Sequence, residues 1–136
     1  MRLRTAVVMS LAAILILLLH TSSFAASTCW VNGRLTIHHS CAARTINLWI
    51  YVTVNVETGE KDWVHVGQKV LMDNEQFSFL VNCGPECYAP AQIRSAGDVL
   101  HEFNLPGRGN TAYLGTIYDP HHCSKIPISE IPDPNQ

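Results

Sequence analysis

The chain has no cluster of lysine or arginine, no Asn-x-Ser/Thr sequon and only one long apolar run. It also has little helical periodicity. Each absence excludes something. Nine Lys and Arg residues are scattered singly against eleven Asp and Glu, so no basic field exists for nucleic acid or for adhesion to anionic lipid. Asn110-Thr111-Ala112 misses an N-glycosylation site by one residue. The apolar run, 6–19, is shorter than the roughly 20 residues a bilayer crossing needs, and no other stretch approaches it. The sequence therefore does not read as an integral membrane protein.

What is present begins at the N-terminus. Arg2 and Arg4 precede that run, and Ser23-Phe24-Ala25 follows it with small residues at the positions a signal peptidase reads. This is the pattern of a secretory signal peptide over 1–25. Cleavage after Ala25 leaves 111 residues. Removing Arg2 and Arg4 leaves seven basic residues against eleven acidic, a net charge of −4 with histidine neutral. The expected location is secreted and extracellular. One domain, 26–119, suits the length, with an irregular, proline-containing tail over 120–136.

Period-2 alternation dominates the mature chain. From Ile46 to Val56 an aliphatic residue fills every second position, so Ile46, Leu48, Ile50, Val52, Val54 and Val56 are expected to face a core. Asn47, Trp49, Tyr51, Thr53 and Asn55 then face the other way. Further strands are expected at 30–37, 63–71, 76–81, 88–94, 99–105 and 112–118. Turns separate them at 57–60, 72–75 and 106–110. Within 63–71, Val64 and Val66 alternate against Trp63 and His65; Phe77 and Phe79 share a face. Seven short strands with spaced turns predict an all-β sandwich or barrel.

Trp49, Tyr51, Trp63 and His65 fall on the non-core face of neighbouring strands. They are candidate ligand- or partner-binding residues, since exposed aromatic patches mark interaction surfaces. Ordinary cross-strand aromatic pairing is the plainer reading of the same residues. His38-His39-Ser40-Cys41 and His121-His122-Cys123 resemble metal-ligand sets, but adjacent histidines on extended chain point apart and the spacing fits no familiar zinc pattern. No metal and no cofactor are expected. His101, sharing a face with Phe103, reads as a hydrogen-bonded core histidine. Cys41 near His38 or His39 lacks a visible orienting third group for nucleophilic catalysis, and no enzyme is expected.

Gly33-Arg34-Leu35, Val66-Gly67-Gln68-Lys69-Val70, Asp73-Asn74-Glu75-Gln76-Phe77, Phe103-Asn104-Leu105-Pro106 and Leu114-Gly115-Thr116-Ile117-Tyr118 occur in an order that resembles the nematode transthyretin-like family. The resemblance spans about residues 30–118. It implies a transthyretin-like β-sandwich of about seven strands in two sheets. It also implies a secreted, non-enzymatic protein that engages a small hydrophobic ligand, a lipid or a cell-surface partner. The Tyr-Arg-Gly-Ser ending of the superfamily's hydroxyisourate hydrolases is absent. Where family members carry a cysteine after the Gly-Arg-Leu opening this chain has Ile37, and where they carry His-Asp-Cys it has Ser95-Ala96-Gly97, so its disulfide framework differs.

Five cysteines leave one unmatched. Mapped on the transthyretin-like sandwich, Cys29, Cys83, Cys87 and Cys123 share one pole and Cys41 lies at the other. The resemblance thus implies Cys83–Cys87 and Cys29–Cys123, with Cys29 crossing to Cys83 or Cys87 as the alternative pairing. Cys41 is left unpaired or interchain. The alternative function is a structural extracellular module, a homodimer joined through Cys41.

Overall fold

The computed structural model describes residues 27–124. The expected signal peptide and the tail beyond Ser124 lie outside them. Seven strands follow in order: β1 (Thr28–Ile37), β2 (Arg44–Asn55), β3 (Glu60–Leu71), β4 (Glu75–Asn82), β5 (Pro90–Ser95), β6 (Asp98–Asn104) and β7 (Thr111–Asp119), with a short 3₁₀ turn at Gly84–Glu86 between β4 and β5. They form a three-stranded sheet, β4-β1-β7, and a four-stranded sheet, β3-β2-β5-β6, in an open sandwich-like arrangement. Every pairing is antiparallel except β1 with β7, which is parallel.

The alternation that predicts strands also supplies the core. Val31, Leu35 and Ile37 of β1, Phe77, Phe79 and Val81 of β4 and Ile117 of β7 line one side. Ile46, Leu48 and Ile50 of β2 with Ala91 and Ile93 of β5 line the other. Fully burying each large aliphatic contributes about 1.5–3 kcal/mol. Gly67 of β3 lets the sheets close: a Cβ there would stand 2.7 Å from the Phe79 ring.

The expected core face of β2 holds only in its first half. Val52 is half-buried, Val54 is 50% exposed and Val56, in the turn beyond the strand, is 90% exposed. β2 and β3 are twelve residues each and β4 is eight, so the hairpin of β2 and β3 runs past the sheet that covers it. Val66 is also exposed rather than in the core. The β2–β3 register shifts between Leu48 and Trp49, so that Leu48 faces Gly67 and Trp49 faces His65, leaving Val66 as the extra residue. An extra residue in one strand breaks the alternation of faces.

A second irregularity lies between β1 and β7, where Asn32 pairs with Tyr113 and Arg34 with Thr116. Gly115, at φ +72°, sits in this bulge in a conformation that favours glycine. The direction of β7 has a larger effect. Because β7 runs parallel to β1, it ends at the pole where β1 ends and β2 begins, not where β1 begins.

Candidate functional site

The outer face of the four-stranded sheet is laid out by register. His65 of β3, Trp49 of β2, Gln92 of β5 and Glu102 of β6 form one row across it. Trp63 and Tyr51 form the next row toward the β2–β3 turn. The four candidate residues named from alternation therefore do meet. The rings of Trp49 and His65 are 5.2 Å apart and those of Tyr51 and Trp63 are 5.3 Å apart. His65 Nε2 lies 2.9 Å from Asn47 Oδ1, which fixes the imidazole beside Trp49.

Arg94 of β5 joins the two pairs. Its guanidinium carbon lies 4.7 Å from the Trp49 ring centroid and 5.1 Å from that of Trp63, within cation–π range. Arg94 Nε donates to Gln92 Oε1 at 2.8 Å, and Gln92 Nε2 donates to Glu102 Oε1 at 2.7 Å. A polar chain thus crosses β5 and β6 beside an aromatic group on β2 and β3. The cover has a consequence for exposure. Tyr51 and His65 are exposed, whereas Trp49 and Trp63 are half-buried rather than exposed with them. Arg94, Gln92 and Glu102 were not among the expected site residues. Their signal is the β2–β5 pairing, which no local pattern reports.

A recess of about 250 Å³ opens on this face beside Trp63, bordered by Gln92, Glu102, Phe103 and Asn104. A larger one, about 500 Å³, lies on the outer face of the other sheet among Asn32, Arg34, Ser78, Tyr113 and Thr116. Arg34 there donates to Asn74 O at 2.6 Å and Ser78 Oγ to Asn32 Oδ1 at 2.5 Å. Trp30, Leu80, Tyr113 and Tyr118 of that sheet are exposed, but among the described residues they form no ring pair and carry no cation.

The cysteines depart from expectation. Cys41 is bonded to Cys123 and Cys83 to Cys87, leaving Cys29 free and buried. Of the expected pairings only Cys83–Cys87 is found. The expected Cys29–Cys123 bond is replaced because the parallel β7 carries Cys123 to the opposite pole, where Cys41 stands. Cys41 is not the unpaired or interchain thiol, and the homodimer joined through it loses its link. The same bond removes Cys41 as a nucleophile. Cys29, with no exposure, has its thiol pKa pushed up by burial. Two disulfides suit an oxidising compartment.

The pole that holds Cys41–Cys123 is polar inside. Asp119, fully buried, accepts hydrogen bonds from Ser95 Oγ at 2.5 Å, Arg44 Nε at 3.0 Å and His121 N at 3.0 Å. Burial alone would raise its pKa; the bonds from Ser95, His121 and Arg44 outweigh that and hold it at about 2. His121 is clamped by two carboxylates, with Nε2 2.6 Å from Asp98 and Nδ1 2.5 Å from Asp119. Its pKa is raised above the ordinary value, by Asp98 first and Asp119 next. Ser95 donates to a carboxylate and not to an imidazole, so the group fixes the end of β7 and His121 and sets up no serine–histidine pair.

His38 stacks on His122 at 3.7 Å and lies 4.1 Å from His39, and its Nδ1 accepts from Ser40 N. Stacked rings direct their lone pairs in parallel planes rather than onto one point. Among the described residues no group of three or more His, Cys, Asp or Glu side chains is arranged to hold a metal ion. His101 is half-buried with its ring 6.0 Å from that of Phe103, a packing contact. No helix among the described residues is long and apolar enough to cross a membrane. Comparison with protein-family models and with curated proteins yields no match for this chain.

Proposed function

We propose that the protein is a secreted, non-enzymatic, transthyretin-like binding protein that engages a small hydrophobic ligand, a lipid or a cell-surface partner with the outer face of its four-stranded sheet. The observation that carries this reading is the placement of Arg94 over both Trp49 and Trp63. Four rings from two strands and a cation from a third are held on one face, away from the core. Trp, Tyr and Arg are the residues that dominate binding energy at interfaces. A guanidinium fixed between two indoles loses little freedom when a partner arrives. The two disulfides accord with an extracellular working place, and the seven strands in two sheets accord with the resemblance drawn from the sequence motifs.

The test compares faces. The secreted chain is titrated with anilinonaphthalene sulfonate and with phosphatidylcholine vesicles, and its binding to intact cells is measured. Trp49→Ser and Tyr51→Ala are compared with Leu80→Ser, which alters the outer face of the other sheet. Loss of binding by about tenfold or more in the first two, with Leu80→Ser unchanged, supports the reading. Binding that follows Leu80 and ignores Trp49 overturns it.

A further inference from the structure

The recess beside Trp63 is divided in its chemistry. Trp63, with Phe103, Pro90 and Ala91, supplies its apolar lining, while Gln92, Glu102 and Asn104 bring two amides and a carboxylate. An indole offers a broad flat apolar surface. Amides and carboxylates are planar groups with paired donor or acceptor sites, which suit two neighbouring hydroxyls on a ring. The complementary ligand has flat C–H faces and a belt of hydroxyls around its edge. A pyranose with equatorial substituents is such a molecule.

The polar rim is fixed in advance. Gln92 is 9% exposed, is held by Arg94 Nε and in turn holds Glu102. Preorganised groups lose little entropy on binding. Charge narrows the class further. Arg94 is already engaged by two indoles and by Gln92, Glu102 is anionic, and acidic residues outnumber basic ones in the chain. A sulfated or uronic glycan would meet repulsion here, and a neutral one would not. The recess holds about 250 Å³, below the usual range of enclosed small-molecule pockets. That suits one sugar ring seated in a longer chain that continues over Tyr51, and not a buried acyl chain.

We infer that the outer face around Trp63 binds a neutral β-linked glycan of glucose or N-acetylglucosamine units, with Trp63 stacking on a ring and Glu102, held in place by Gln92, taking its hydroxyls. The inference rests on the reading of this face as the working surface, and it names the carbohydrate of a cell-surface or matrix partner as what that surface meets.

The experiment uses the secreted chain labelled with nitrogen-15 and titrated with chitohexaose and cellohexaose, with α-linked maltohexaose as the comparison. The three tryptophans give three indole N–H signals, and Trp30 lies on the other sheet. A saturable shift of the Trp63 signal with at least one β-linked hexamer, with Trp30 still and maltohexaose weaker, is expected. Trp63→Ala should weaken binding by about tenfold or more. Glu102→Ala, at an exposed position, should weaken it by about threefold with an unchanged melting temperature. No shift with either β-linked hexamer overturns the glycan assignment; the wider reading of the face then still stands if dye, vesicle or cell binding depends on Trp49. A shift centred on Trp30, an equal response to maltohexaose, or equal affinity in both variants also overturns it. In the last case the glycan binds elsewhere on the chain, and dependence of dye, vesicle or cell binding on Trp49 again decides the wider reading.

Discussion

Arg44 places its Nε 3.0 Å from Oδ2 of Asp119, 75 residues further along the chain, and the carboxylate it meets has no exposure to solvent. The pair ties the start of β2 to the end of β7 and so joins the two sheets at one pole. Breaking a buried pair costs about 3–5 kcal/mol; Arg44 is 18% exposed and also bonds Ser95, which puts this pair at the lower end. Asp119→Asn should lower the free energy of unfolding at pH 7 by about 3 kcal/mol, measured in urea.

The same carboxylate sets the acid limit. Its folded pKa of about 2 lies below the model-compound value of 3.8, so its contribution is present above pH 4 and is lost as the pH falls through 2. The shift corresponds to about 2 kcal/mol. Urea midpoints measured from pH 5 down to pH 2 should fall in the wild type and fall less steeply in Asp119→Asn. His121 acts in the opposite sense. Its folded pKa is raised, so its contribution is full below the ordinary value of 6.5 and is lost as the pH rises through the raised value. His121→Gln should flatten the decline in stability on the alkaline side of that range.

The Cys41–Cys123 bond spans 82 residues, and a ring of that size stabilises by about 4–5 kcal/mol through the unfolded chain. The double variant Cys41→Ser/Cys123→Ser should lose most of that in denaturant melts. Ellman's reagent should find no reactive thiol in the native chain and one equivalent in guanidinium, from Cys29. Peptide mapping without reduction should recover Cys41 joined to Cys123.

Arg94 and Trp49 should be coupled. In a double-mutant cycle with Arg94→Met and Trp49→Ser, the interaction should be about 0.5–2 kcal/mol. Each single change should cost less than Ile50→Ala, which opens a core cavity at about 2–5 kcal/mol. A Trp49→Ser variant as damaged as Ile50→Ala would place Trp49 in the core.

Gly67→Ala puts a methyl group 2.7 Å from the Phe79 ring, and core overpacking costs about 1–3 kcal/mol. The melting temperature should fall, and Phe79→Leu combined with Gly67→Ala should recover part of the loss.

Much of this architecture is legible from alternation. The run from Ile46 to Ile50 and the pair Phe77 and Phe79 identify their strands and their buried sides, because a half-buried strand must alternate. The exposed Val54 shows the limit: the pattern reports which side an aliphatic faces and not whether another sheet reaches that far. Val66 fails for a different reason, since one bulged residue reverses the parity that the reading depends on. The cysteine map fails through β7. Parallel pairing between β1 and β7 leaves no trace in either segment, so the pole reached by Cys123 could not be read from it. Trp49, Tyr51, Trp63 and His65 were visible as a face because they sit on adjacent strands joined by a turn. Arg94 was not, because it arrives from a strand about forty residues away.

β1 lies between β4 and β7, and β7 is the last of the described strands to leave the ribosome. Until it arrives, one edge of β1 has no partner, and Asp119 is absent from the pole it closes. Completion of the three-stranded sheet must therefore wait for the whole domain, so folding is expected after synthesis of Asp119 and not during it. Pairing of such distant segments is slow compared with local hairpin formation. A chain that ends before β7 would carry an open strand edge, a template for association with other chains. Cys123 follows β7 directly, so the Cys41–Cys123 bond can close only when β7 lies beside β1, and the covalent bond records that this strand has reached its place.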